Sequence, residues 1–256
     1  MKILILGDVV SNTGCEHIRK VLPDLKRKEN IDFCIANGEN SAAGNGITPF
    51  SAQHLFDSGI DIITTGNHVY RRKEIYDFLD ERLDIVRPAN YYEYNPGRGY
   101  AIADLGRVKI GVINLAGSFS MDAVDNPFRV CEKVLDKIRD CKIKIIDFHA
   151  ETTSEKRAMG FFLDGKVTCV FGTHTHVQTA DEQILPKGTA YITDLGMCGP
   201  VQSVLGIEPQ LTIRKFKSNL PVKFENAKGE YSIEGCLIDI DDKTGKANSI
   251  ERVNIR

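Results

Sequence analysis

Short apolar runs rich in β-branched residues alternate along this chain with stretches of helical length, and that alternation constrains the fold more than any other feature. The runs are KILILGD (2–8), DFCIANGE (32–39), DIITTGNH (61–68), KIKIIDFHA (142–150) and VTCVFGTH (167–174). Near-continuous apolar runs of this length mark strands buried on both faces, as parallel strands covered by helices are. Between them the pattern predicts helices over about 16–29, 49–58, 72–81, 126–140 and 154–163. Thr48 before Pro49 reads as an N-cap followed by proline at the first helical position, and Gly59 sits where a left-handed C-cap belongs. Pro23 should kink the first helix or split it.

Two further segments look antiparallel. YAIADLGRVKIGVINL (100–115) alternates around Leu105-Gly106, and residues 222–255 carry strand patterns separated by the turn-forming AKGE and DKTGK. Strands near both chain ends are therefore expected to supply a second sheet. The fold class is α/β: two packed, mixed β-sheets flanked by helices. No internal repeat, low-complexity tract or Pro/Ser-rich linker divides the 256 residues, so 1–256 is expected to be a single domain.

With 33 basic and 35 acidic residues, no global basic field draws the chain to nucleic acid or anionic lipid, and no aromatic-basic surface pattern favours direct nucleic-acid binding. MKILILGDVV breaks at Gly7 and Asp8 without a cleavage site, so it reads as a first strand rather than a signal peptide. No apolar segment approaches the roughly 18–20 residues that span a bilayer. The seven cysteines are odd in number, scattered, and never spaced as CxxC. Reduced thiols in a cytoplasmic protein are the expectation, with Cys34 and Cys169 inside strands as core residues.

Several strands run out into polar residues at their carboxyl ends: Asp8 in GD, Glu39 and Asn40 in GEN, Asn67 and His68 in GNH, His149 in FHA, His174 and His176 in GTHTH. Ligands of open α/β sheets gather outside those ends, so five separated clusters can face one crevice. Carboxylate, amide carbonyl and imidazole without thiolate suit manganese or iron(II), with zinc as an option. Seven candidate ligands exceed one tetrahedral ion and fit two ions sharing a carboxylate, which is how a pair of metals clamps a phosphoryl group. In extended chain, His174 and His176 would point to one side about 6.5–7 Å apart, each reaching a different ion.

In order along the chain, GDVV, GEN, GNH, DFHAE and GTHTH resemble the calcineurin-like metallophosphoesterase superfamily pattern of D-x-H, G-D, G-N-H, a lone H and G-H-x-H. Val10 stands where that pattern has a histidine, and Glu39-Asn40 replaces its G-D. These departures, with RPAN (87–90), TSEK (153–156), THTHVQTAD and ILPKGTAYITDLGM, resemble the bacterial YmdB-like branch from Met1 through LIDIDD. The resemblance implies a four-layer αββα sandwich and a dinuclear phosphodiesterase acting on cyclic nucleotides, the 2′,3′-cyclic ones above all. It assigns Asp8, Asn40 and His176 to one divalent ion, Asn67, His149 and His174 to the other, and Glu39 to both. It makes His68 the general acid, a metal-bridging hydroxide the nucleophile, and the protein a homo-oligomer.

Taken singly, the same residues have plainer readings. Asp8 can cap a helix, Glu39-Asn40 can make turns, and a lone His149 can be a satisfied core residue. His17 and His54 match no motif and are read as structural, and the RRK of 71–73 receives no role. GDVVSNTG is not G-x-G-x-x-G, and no Walker sequence occurs. Two other functions share the motif set: a phosphomonoesterase or nucleotidase using the same site, and a metal-containing regulatory protein that senses nucleotides.

Overall fold

The computed structural model describes residues 1–256. The chain opens with β1 (Lys2–Val9), α1 (Ser11–Glu29), β2 (Phe33–Asn37), α2 (Pro49–Asp57), β3 (Ile62–Thr64), α3 (Ile75–Glu81) and β4 (Ile85–Val86). A hairpin of β5 (Tyr100–Asp104) and β6 (Lys109–Ala116) begins a second run: α4 (Pro127–Lys137), β7 (Ile143–His149), α5 (Thr153–Leu163), β8 (Cys169–Thr173), β9 (Gln183–Ile184) and β10 (Ala190–Ile192). The chain then returns through β11 (Met197–Pro200), α6 (Pro209–Ser218), β12 (Tyr231–Asp241) and β13 (Lys246–Ile255).

These elements make two mixed sheets, ordered β13-β12-β11-β1-β2-β3-β4 and β5-β6-β7-β8-β10-β9. In the first, β11, β1, β2, β3 and β4 run parallel; in the second, β6, β7, β8 and β10 do. Alternation along β1 shows how the layers stack. Ile3 and Ile5 pack between the sheets with Val112, Ile145 and Phe171, while Leu4 and Leu6 face Ile18 and Leu22 of α1 and Leu55 of α2. On the outer face of the second sheet, Ile113, Ile146 and Phe148 meet Cys131 of α4 and Met159 and Leu163 of α5. The order is thus helix, sheet, sheet, helix, the expected αββα sandwich, in which each fully buried aliphatic side chain contributes about 1.5–3 kcal/mol over exposure.

Local signals explain several boundaries. Thr48 Oγ1 accepts from Ser51 N (3.1 Å) while Ser51 Oγ accepts from Thr48 N (3.0 Å), closing a capping box on α2, and Gly59 follows that helix at φ 102°. Pro23 does not split α1, which runs from Ser11 to Glu29 with the proline inside it. Both Pro23 and Arg19 are exposed, so water can satisfy the Arg19 carbonyl that proline leaves without a donor. The helix also begins earlier than 16, because Gly14 lets its first turn lie on β11, where an added Cβ would come within 2.7 Å of Cys198 O. Both chain ends do share a sheet, since β12 pairs with β1, but they share it with β2 to β4, and the 100–115 hairpin joins the other sheet. Helix α6 and strands β4, β9, β10 and β11 are additions to the expected elements. All seven cysteines are free and buried. No helix is long and apolar enough to cross a membrane.

Candidate metal centre

The two sheets bring the carboxyl ends of β1, β2, β3, β7 and β8 to one side of the sandwich. Asp8 lies near the end of β1 and His149 ends β7, while Glu39-Asn40, Asn67-His68 and His174–His176 follow β2, β3 and β8. All eight residues join one network of contacts. Glu39 Oε1 is 3.2 Å from His149 Nε2, which is 3.0 Å from Asn67 Oδ1 and 3.1 Å from His174 Nδ1. The donor atoms of Glu39, His149 and His174 all fall within 4.8 Å of one another. On the other side, His176 Nε2 is 3.6 Å from Asp8 Oδ1 and 3.3 Å from Asn40 Nδ2, which donates to Glu39 Oε1 at 3.1 Å. Glu39 therefore sits between two groups of donors. Asn40 turns its amide nitrogen toward this second group and its Oδ1 toward His68 Nδ1 (2.8 Å), so ligation through its carbonyl would need a half-turn of the amide.

The residues present fit a divalent cation. Asp8 Oδ1 is buried and accepts no hydrogen bond. Gly66, just before Asn67, leaves a hollow in which a Cβ would lie 2.3 Å from His149 Nε2 and 2.4 Å from Glu39 Oε2. Both carboxylates are fully buried, a cost that needs a compensating positive charge. Burial alone would push both carboxyls up, but His176 beside Asp8 and His149 beside Glu39 hold both below the usual carboxylate range. Burial would likewise depress His149, yet Glu39, with Asp8 and Asp147, raises it to about 9, so the ring takes up a proton that a bound cation would displace. Burial and the charge on His149 push His174 down to about 4.

The histidine loop is not extended. β8 stops at Thr173, and His174 (φ 97°) and His176 (φ 61°) both adopt left-handed backbone, costing about 1–3 kcal/mol each. The same-side spacing expected from a strand is therefore wrong, although the two rings do reach different donor groups. Buried Asp194 holds the turn: its Oδ2 accepts from Thr175 N (3.2 Å), Thr175 Oγ1 (2.8 Å) and Lys156 Nζ (2.7 Å).

Residues not singled out in the sequence support the inner ring. Thr173 Oγ1 donates to Asp147 Oδ1 (2.7 Å) and so accepts from His149 Nδ1 (2.9 Å), which leaves Nε2, facing the centre, as the nitrogen that would give up its proton to a cation. Asn37 Nδ2 donates to Asp147 Oδ2 at 3.1 Å, and burial pushes Asp147 up to about 7. Glu151 Oε2 lies 3.1 Å from His174 Nε2. The available signal was a polar residue inside an apolar strand, Asn37 in FCIAN and Asp147 in IKIIDFH. His17 and His54 lie on α1 and α2, with His54 Nε2 3.6 Å from Glu16. Arg72 Nε donates to Asn45 O (3.0 Å) and its Nη2 to Ala43 O, pinning the loop after Glu39-Asn40.

The YmdB-like protein family model matches residues 4–253. A 2′,3′-cyclic-nucleotide 2′-phosphodiesterase of Bacillus subtilis (strain 168) is 47% identical over 256 residues, covering 100% of this chain and 97% of the relative. A crystal structure described as a novel phosphatase from Mycoplasma pneumoniae superposes with a TM-score of 0.94 at 39% identity, covering 100% of this chain and 93% of that one. A hypothetical protein from Thermus thermophilus gives the same TM-score at 35% identity, covering 99% and 98%. With the five clusters gathered at one centre and these likenesses running end to end, the chain belongs to the YmdB-like protein family.

Proposed function

We propose that the protein is a phosphodiesterase that hydrolyses 2′,3′-cyclic nucleotides at a centre of two divalent ions, iron or manganese before zinc, with Glu39 shared between them. The convergence of Glu39, Asn67, His149 and His174 donors carries this reading, and the likeness to the Bacillus subtilis enzyme supports a 2′,3′-cyclic nucleotide as the substrate. Asp8, Asn40 and His176 would complete the second ion's shell. Divalent ions held there supply charge neutralisation for the phosphoryl oxygens and water acidified toward neutrality.

The chain's own residues do the rest. His68 N donates to Glu39 Oε2 at 2.9 Å and its Nδ1 is engaged by Asn40, which fixes the ring and leaves Nε2 for the substrate. Burial, against the pull of Glu39, holds His68 below its ordinary value, and an anionic phosphate alongside favours the protonated ring. The oxygen of water bonds to phosphorus as one of its protons leaves to solvent, the P–O2′ bond breaks, and O2′ takes a proton from His68, which solvent restores, leaving a 3′-phosphate. A cleft of about 820 Å³, walled by Leu205, Ile207 and Phe224 beside His68 and His176, offers the base an apolar surface. Residues 1–256 would act as one catalytic domain. Seven buried free thiols support a cytoplasmic setting, and the homo-oligomer rests on the resemblance alone.

A panel of 2′,3′-cyclic AMP, 3′,5′-cyclic AMP and p-nitrophenyl mono- and diesters tests the reading on wild type, Glu39→Gln and His68→Ala. The expected result is preferred turnover of the 2′,3′-cyclic ester, lost in both folded variants. Preference for monoesters would make it a phosphatase instead, and tight nucleotide binding without hydrolysis would make it a sensor.

A further inference from the structure

We infer that the centre acts on the cyclic phosphate end of an oligonucleotide, with Arg71 and Tyr92 holding the nucleotide on its 5′ side. The inference rests on the hydrolytic reading above and adds the substrate class. Two separate clefts, not one, border the centre. The first touches Glu39, His68 and His174, while a second, of about 700 Å³, begins at Asn67 and is walled by Arg71, Tyr91 and Tyr92. A mononucleoside 2′,3′-cyclic phosphate carries both ester oxygens on one ribose and has one base to place, so one cleft of this size suffices. The other opens on the next residue of the centre, where a chain continuing from the 5′ oxygen of that ribose needs room.

The second cleft carries the chemistry of a nucleotide. Tyr92 is 66% exposed, with its ring 5.3 Å from that of Tyr94, and presents a face on which a base can stack. Tyr91 is steadied 6.0 Å from the ring of Tyr70, whose hydroxyl donates to Pro96 O at 2.7 Å. Arg71 follows His68 by one turn, its N donating to His68 O at 3.0 Å. Unlike Arg72, which is spent on the loop backbone, its guanidinium is exposed and forms none of the ion pairs or hydrogen bonds of the fold. A free guanidinium suits one phosphodiester group, which it grips through two parallel N–H donors. Asp122 and Asp125 on the same cleft weigh against a polyphosphate and for an aromatic ligand with a single diester charge. The near-balanced charge of the chain is no obstacle, because one terminal dinucleotide needs one grip rather than a basic field.

The test compares hydrolysis of 2′,3′-cyclic AMP with that of adenylyl-(3′→5′)-adenosine 2′,3′-cyclic phosphate by the metal-loaded full-length protein. Wild type should favour the dinucleotide about tenfold or more in kcat/KM, chiefly through KM, the worth of one charge-assisted hydrogen bond. Arg71→Gln should cut that ratio about tenfold and Tyr92→Ala several-fold, with circular dichroism verifying both folds. A wild-type ratio near one, or a ratio that Arg71→Gln leaves intact, overturns the inference while the cyclic phosphodiesterase reading stands. Hydrolysis of neither substrate overturns that reading and this inference with it.

Discussion

Replacing Gly66 by alanine adds one methyl group at the place where the account puts a cation. Gly66 is outside the left-handed region, so alanine can keep its backbone, and the effect is steric. The new Cβ would lie 2.3 Å from His149 Cδ2 and Nε2 and 2.4 Å from Glu39 Oε2. That is about 1 Å inside the roughly 3.5 Å optimum for non-bonded atoms. Neither neighbour can yield freely, since both are fully buried and Thr173 holds the far side of the imidazole. Overpacking of this kind costs about 1–3 kcal/mol, or roughly 2–10 °C in Tm for a chain of this size. The loss in metal affinity should be larger. Disturbing a residue that merely supports a ligand costs about 10–100-fold, and here two candidate ligands are displaced at once, so a drop of at least about 100-fold is expected. Titration of manganese by calorimetry without air, paired with thermal unfolding, separates the two effects. Wild-type manganese affinity in folded Gly66→Ala would refute the claim that Glu39 and His149 converge on a cation.

Thr173→Val removes the acceptor that fixes the His149 tautomer, and should weaken manganese binding about 10–100-fold in the same titration, with Thr173→Ser recovering most of it. Lys156→Met strands buried Asp194 without its cation and should cost about 3–5 kcal/mol in urea unfolding, part of which a second change, Asp194→Asn, restores. Burial would raise the Asp181 carboxyl, but hydrogen bonds from Thr193 and Thr179, with Arg157, hold it below its ordinary value. Its contribution is therefore present above about pH 4 and lost as pH falls through the lower folded value. The stability gap between wild type and Asp181→Asn should be widest near neutrality and close in acid.

The gathering of these clusters was legible because polar side chains at the carboxyl ends of buried strands converge on one crevice, and GD, GEN, GNH, FHA and GTHTH carry them openly in the sequence. Strand positions were legible for a related reason: long runs such as KILILGD bury both faces, and few other structures tolerate that. Strands of two to four residues, β4, β9, β10 and β11, are too short to show a period and exist because longer neighbours offer them a ladder. The backbone of the histidine loop was hidden as well, since its left-handed turns depend on Asp194 and Lys156, one distant in sequence from the other and both drawn in by the fold. Pro23 does not split the helix as a proline can, and its exposure lets water take the place of the hydrogen bond that it removes.

Counting bound metal in protein purified without air tests the central claim most directly. Wild type is predicted to hold close to two equivalents of divalent transition metal per chain, Glu39→Gln to hold fewer, and hydrolysis of 2′,3′-cyclic AMP to follow metal content through chelation and reloading. Full activity in protein that carries no transition metal would contradict it.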